Sequence, residues 1–349
     1  MQKRRGSRLK FSVGYNCSCD TGFLEDIIKN KEHIEEIYFS WGSFPNGRAP
    51  QTESGEMTEW EAYEKMNKDL ARLNEEEIKF NLLFNGNCYG RESLCESFYN
   101  EIGDCTDYIK CRFNLASVTT TSPLIAKFIK DNFSDIRTRA SVNMGIGSCR
   151  GMDYAGRYFD GYYLKREYNR DFEKINELKK WCGDNGKELY ILANSGCLSD
   201  CSAHTFHDNL VAHEKEISKM KNGYSFEGIC HEYLKNKENY ISLLKDTSFI
   251  RPEEVHLYEP YFNAMKLATR ATDMARMVLK SYISGRHSGN VLELLEPNHS
   301  GRLYPYVIDN RKLTDRRIFC SKKCSECKVC ADELKAALTN LSEGKEILC

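Results

Sequence analysis

No stretch of about eighteen consecutive apolar residues, the length a spanning helix needs, occurs in the chain, so no helical membrane segment is expected. The opening MQKRRGSRLK is basic, but no apolar run follows it. It therefore does not read as a secretory signal, and a cytosolic, reducing location is expected. An excess of one charge is equally absent: 50 Lys and Arg stand against 51 Asp and Glu, a formal net charge of −1. No global field draws such a chain to nucleic acid or to an anionic membrane. The basic tip, Lys3, Arg4, Arg5, Arg8 and Lys10, reads as a solvated terminus.

The common cofactor and hydrolase signatures are missing too. Gly145-Ile146-Gly147 has no third glycine at the dinucleotide-binding offset, and Gly186-Lys187 lacks the upstream glycine of a phosphate loop. Neither G-x-S-x-G nor H-E-x-x-H occurs, which leaves standard serine or zinc hydrolysis without support.

Cysteine, by contrast, is plentiful: 16 in 349 residues. Cys320, Cys324, Cys327 and Cys330 follow C-x3-C-x2-C-x2-C spacing, and Cys197 and Cys201 form a C-x3-C pair. In a reducing compartment such spacing suits ligands rather than disulfides, because short gaps aim several thiolates at one point. Isolated cysteines such as Cys88, Cys95, Cys105, Cys111 and Cys230 are expected to be buried as small hydrophobes.

Short β-like runs alternate with helical stretches. The runs are residues 9–15, 34–41, 78–85, 108–114, 136–144, 159–165, 187–194 and 255–260. Helices are expected over 56–75, over 122–132 with Ser122 as cap and Pro123 in the first turn, over 169–185 before the Asn185-Gly186 stop, and over 261–284. Eight strands interleaved with helices predict an α/β fold, a parallel (β/α)8 TIM-like barrel over residues 1–295, followed by a cysteine-rich extension over 296–349. An open doubly wound sheet is the alternative.

In a parallel barrel the chemistry lies just past the C-terminal ends of the strands. Asn85 follows the third run, Asn143 the fifth, and Asn194-Ser195-Gly196-Cys197 the seventh. The last continues through Cys201, His204, His207 and Asn209 to His213. His204, His207 and Asn209 are therefore candidate catalytic groups, since histidine titrates near working pH. Asn85, Asn143, Arg251 and Arg270 are candidate substrate-binding groups, the arginines for an anionic group; a structural salt bridge is the other reading of each arginine.

Three of these segments carry a resemblance. LANSGCLSDCSAHTFHDNLVAH, from Leu192 to His213, resembles the N-x-G-C-x3-C signature of the collagenase-like peptidase family U-32. Ser248-Phe249-Ile250-Arg251-Pro252 resembles its S-F-I-R-P element. Phe262 to Arg270 resembles its F-K-I-x-G-R element, with Thr269 where the family carries glycine. The resemblance covers residues 9–295. It implies an iron–sulfur protein that hydroxylates without oxygen, acting on a small molecule, a peptide or an RNA base, or, by the family's name, a peptidase. Nucleic acid as a partner enters only through this analogy. The resemblance also gives Cys197 and Cys201 the role of ligands to a 4Fe–4S cluster. Cys182 stands near the place of a third ligand in some relatives, with burial at a helix end as its other reading.

The tail is judged on spacing. Cys320-x3-Cys324-x2-Cys327 matches the radical S-adenosylmethionine motif, but it follows the last helix, whereas that motif follows the first barrel strand. Zinc in the four tail cysteines is an alternative, although zinc modules usually set more chain between ligand pairs. The expectation is a 4Fe–4S cluster held by Cys320, Cys324, Cys327 and Cys330 with help from Cys197 and Cys201. Two of the six are then spare, or a second cluster recruits Cys182, Cys17 or Cys19. The chain reads as a redox enzyme working with an electron donor or protein partner. A peptidase and a cluster-bearing sensor or partner protein are the alternatives.

Overall fold

Alternation is the rule the strands obey, and it sorts side chains into two cores. The computed structural model describes residues 9–16, 21–47, 58–320 and 323–343; Cys17, Cys19 and the basic tip up to Arg8 lie outside them. Eight parallel strands close a barrel in sequence order: β1 Lys10–Gly14, β2 Ile34–Phe39, β3 Lys79–Phe84, β4 Leu115–Thr120, β5 Arg137–Ala140, β6 Gly161–Tyr163, β7 Glu188–Leu192 and β8 Ala264–Leu267. β8 returns to β1 with Met265 opposite Phe11. Thr269 secures that closure just beyond β8, accepting from Gly14 N at 2.8 Å and donating to Gly14 O at 3.0 Å.

Around the strands lie α1 Thr21–Lys29, α2 Glu59–Glu75, α3 Glu96–Arg112, α4 Pro123–Asn132, α5 Cys149–Tyr154, α6 Phe172–Asp184 and α7 His204–Ala212, then a helix over Ala275–Ser284. Their starts follow the expected chemistry. Ser122 accepts from Ile125 N ahead of Pro123, and Thr58 and Glu61 cap α2 reciprocally.

Two expected strands lie elsewhere. Residues 108–114 alternate, but through Arg112 they belong to α3, whose buried Phe98, Ile102, Thr106 and Ile109 recur at helical spacing. The strand is the β-branched run Leu115–Thr120 that follows. Residues 255–260 fall largely in a 3-10 helix, Pro252–Tyr258, which Pro252 starts. The eighth strand lies within the stretch expected to be one long helix, and only Ala275–Ser284 is helical there, ending at Gly285 with φ +65°.

Outward-facing Phe11, Val13, Ile37, Phe80, Leu82, Val118 and Ile191 pack with Leu70, Ile102, Ile125 and Leu178 of the helices in one apolar layer. Burying each such side chain contributes about 1.5–3 kcal/mol. Inward-facing positions are polar. Glu36 on β2 reaches across the barrel to Arg139 on β5, whose Nη1 donates to both carboxylate oxygens at 2.6 and 2.8 Å. Ser12 and Asn81 donate to Glu36 Oε1, each at 3.0 Å, and Thr119 donates to Asn81. Burial works to raise the Glu36 pKa, but Arg139 and these donors hold it below the ordinary carboxylate value.

The extension adds an antiparallel ribbon, β9 Tyr306–Ile308 with β10 Leu338–Asn340, and a helix over Val329–Ala337. No helix among the described residues is long and apolar enough to cross a membrane.

Glu36→Ala strands a buried guanidinium and is expected to cost about 3–5 kcal/mol in urea unfolding. Arg139→Met should cost a similar amount. The double variant should lose clearly less than the two singles added together, because the same interaction is removed twice; full additivity would show the two groups to be uncoupled.

Candidate active site at the barrel mouth

A cavity of about 130 Å³ opens where the strands end. Tyr38 of β2, Asn85 after β3, Asn143 after β5, Arg166 after β6, Ser195 and Cys197 after β7, and Lys266 and Arg270 on and after β8 all line it. The N-x-G-C segment is shaped by its first and third residues. Asn194 is fully buried and clamps β8: its Nδ2 donates to Ala268 O at 3.0 Å and Leu294 O at 2.8 Å, and its Oδ1 accepts from Ala268 N at 2.7 Å. Gly196 lies so close to the following segment that a Cβ there would sit 2.3 Å from Pro297 O. Glu296 O accepts from Gly196 N at 2.8 Å, and buried His299 contacts Gly196 O through Nε2 at 3.0 Å. Residues 296–299, read from sequence as the start of the extension, therefore form part of the mouth.

Cys197 and Cys201 line this cavity, and so does Cys230 from a short helix at Ile229–Tyr233. The three thiols are electrostatic neighbours: burial raises the Cys230 pKa, Arg302 lowers it, and Cys197 and Cys201 raise it again. A Cβ on Gly228 would lie 3.5 Å from Cys230 Sγ and 3.8 Å from the His207 ring, which places that histidine at the same wall. Among the described residues no three His, Cys, Asp or Glu side chains converge tightly enough to share a single metal ion. A cubane spreads its thiolates over separate irons and asks for a wider set.

His204 also faces the cavity. Arg166 Nη1 lies 2.7 Å and Asp208 Oδ2 3.2 Å from its Nε2. A protonated Nε2 donates to Asp208; once the proton leaves, the lone pair accepts from Arg166. Burial lowers the His204 pKa, which Asp208 partly offsets. Asp208 is held by Asn87 Nδ2 at 2.9 Å. Also lining the cavity, Lys266 Nζ sits over the rings of Tyr38 at 3.9 Å and Tyr163 at 5.1 Å. Burial, reinforced by Arg270, brings its pKa down to about 7. Arg270 Nη2 donates to Asn46 Oδ1 at 3.2 Å.

Of the residues singled out from sequence, Asn85, Asn143, Cys197, Cys201, His204, His207 and Arg270 share this cavity. Asn209, half-buried on α7, lies outside its lining. Arg251 lies elsewhere: 2 % exposed, it is bonded to Glu254 Oε1 at 2.7 Å, Asp315 Oδ1 at 2.8 Å and Leu313 O at 3.1 Å. It ties the β7–β8 connection to the extension, as a structural salt bridge would. Cys182 is buried on α6 beside Met152, with its thiol pushed up to about 12, and borders a cavity at the N-terminal end of the barrel. Cys320, Cys324, Cys327 and Cys330 line a separate cavity, so the six cysteines do not surround one point.

Sequence reasoning missed Cys230, Arg166, Asp208, Lys266 and His299. Lys266, a lone charge inside an apolar strand run, carried a signal; Cys230 did not. The cysteines expected to be buried are in fact varied, with Cys95 and Cys111 exposed and Cys88, Cys105 and Cys230 half-buried.

No family model matches the chain, and no curated protein matches it at a significant level. Among solved structures it is similar to the U32 peptidase Mk0906, with a TM-score of 0.52, 12% identity, and coverage of 76% of this chain and 94% of that one. The fold is U32-peptidase-like. A glycoside hydrolase family 5 mannosidase from Rhizomucor miehei is similar at a TM-score of 0.40 and 10% identity, covering 84% of this chain and 94% of that one. Its likeness extends no further than strands and helices wound into a barrel.

Two titrations follow from the burial. Lys266 has a lower pKa folded than unfolded, so the unfolded chain binds more protons between about 7 and 10.5. Its cost to stability is full below that window and fades as pH rises through it. Lys266→Met should therefore raise the free energy of urea unfolding at pH 6.5 by an amount on the order of a few kcal/mol, and by little near pH 10; a pH-independent effect would contradict this. His299, with a pKa pushed down to about 4 from 6.5, contributes stability that is complete above pH 6.5 and lost toward pH 4. His299→Gln should flatten the acid limb of the stability curve, read by the same urea unfolding.

Proposed function

We propose that the chain is an iron–sulfur-dependent redox enzyme whose cluster sits at the barrel mouth on Cys197, Cys201 and Cys230. The observation that carries this reading is the arrival of Cys230, from a separate segment, on the wall that already bears the C-x3-C pair and two histidines. The donor set fits the group: three thiols in one cavity with a histidine beside them. Such a cluster supplies single-electron chemistry, or Lewis acidity at an iron that no thiolate occupies.

The chain's own residues then divide the remaining work. Lys266 and Arg270 bind an anionic group of the substrate, the first through an ammonium that needs a counter-charge to stay protonated at neutral pH. Tyr38 and Tyr163 hold that ammonium in place. His204 exchanges a proton with substrate at Nε2, with Asp208 favouring the charged ring and Arg166 the neutral one. Asn85 and Asn143 offer amides at the same opening. Oxygen-independent hydroxylation, implied by the sequence resemblance, is the reaction class this arrangement best accommodates.

The likeness to the U32 peptidase Mk0906 suggests a second reading, peptide hydrolysis. Against it, no serine or cysteine at the mouth hydrogen-bonds a histidine among the described residues, so no nucleophile–base pair is formed.

Protein made and purified without oxygen should contain iron and acid-labile sulfide that Cys197→Ser, Cys201→Ser and Cys230→Ser each remove, about four irons per chain. Cys95→Ser and Cys111→Ser should keep it. Iron unaffected by all three mouth variants sinks the reading, and casein cleavage by iron-free protein replaces it with the peptidase.

A further inference from the structure

The four tail cysteines form a second site of their own. Cys320, Cys324, Cys327 and Cys330 border a cavity of about 190 Å³, volume for several waters. None of its lining residues belongs to the barrel mouth. Its charged lining is wholly cationic: Lys245, Arg316, Arg317 and Lys323, with no carboxylate. Four thiolates around a metal centre leave a net anion that needs cations nearby.

The cations are built in from behind. Arg317 is 2 % exposed, its guanidinium 4.7 Å from the Phe249 ring, with Nη1 donating to Leu244 O at 3.3 Å and Nε 3.1 Å from Glu333 Oε2. Its Nη2 has no hydrogen-bond partner among the described residues. Arg170, equally buried, shares the Leu244 carbonyl at 3.4 Å and leaves Nε without a partner. Glu333 faces Arg317 on one side, but the idle donors of both arginines behind a cysteine-lined cavity are costly unless a further acceptor reaches them. Cys330 lies in the first turn of the Val329–Ala337 helix, where the dipole also favours negative charge.

We infer that this cavity holds a second 4Fe–4S cluster, bound by Cys320, Cys324, Cys327 and Cys330 and charge-balanced by Arg317 and Arg170. Zinc fits less well: gaps of two and three residues put little chain between ligand pairs. Cys324 and Cys327 are exposed, so the cluster has one face open to solvent.

The site is independent of the mouth, and its test separates the two. Full-length chain prepared without oxygen should carry about eight irons and eight sulfides if both sites are filled. Cys324→Ser and Cys330→Ser should each halve that content, with Cys197→Ser removing the other half. About four irons, lost in the tail variants and kept in Cys197→Ser and Cys230→Ser, would uphold the tail cluster while removing the mouth cluster. Full iron in both tail variants overturns the proposal, as does equimolar zinc without sulfide that the tail variants release. Lys323→Gln, on the surface, and Arg317→Lys, which keeps the charge, guard against misfolding. The first should lower the midpoint potential of the tail cluster seen by redox-poised electron paramagnetic resonance, because it removes a cation that favours the reduced form. The second should leave iron content unchanged; loss of the tail iron in Arg317→Lys together with an intact fold would also count against the proposed charge balance.

Discussion

An ion pair at the centre of the barrel sets the terms for everything above it. Glu36 and Arg139 come from strands that do not touch, so their contact spans the interior and fixes the distance across it. Taking both charges out of water is expensive, and the desolvation is offset only because Ser12 and Asn81 complete the carboxylate's shell. The Arg139 guanidinium lies 4.3 Å from the Tyr190 ring, and Tyr190 packs on Tyr163. Tyr163 in turn stands beneath Lys266. A column of polar and aromatic groups thus runs from the barrel centre to the mouth, where most barrels of this kind would place layers of branched aliphatics.

That column explains the electrostatic character of the site. Lys266 is near Arg270 and Arg139 as well as the carboxylates Glu36 and Glu296, and burial prevails. Its ammonium is weakly held, which makes it responsive to any anion that enters. In the same mouth His204 sits between an arginine and an aspartate that compete for one nitrogen. The mouth therefore has one group whose protonation depends on an incoming anion and another whose protonation depends on which neighbour is engaged.

Much of the architecture was legible from local pattern. The count of eight strands survives although β4 and β8 were misplaced. Tyr108–Asn114 alternates like a strand, yet the helix of Glu96–Arg112 wins because its buried side of Phe98, Ile102 and Ile109 packs in the apolar layer. The short Ala264–Leu267 strand offers too few residues for a period to show. At the mouth, the N-x-G-C motif marks a loop that lines the cavity, but its asparagine and glycine serve geometry: one clamps β8 and the other permits close approach to Pro297. Cys230 stood 29 positions beyond Cys201 with no pattern between them, and only tertiary structure brings it to the same wall. Arg251 shows the converse: its guanidinium suits either an anionic group or a structural salt bridge, and the chain uses it for the second, anchoring the extension.

The contact of His299 and Glu296 with Gly196 has a temporal side. The barrel can close through Thr269 and Gly14 before residues 296–299 have left the ribosome, since chains begin to fold as they emerge. Until those residues arrive, the loop bearing Cys197 and Cys201 has no backbone partner at Gly196. The order of synthesis thus lets the barrel close before the segment that packs on Gly196 has emerged.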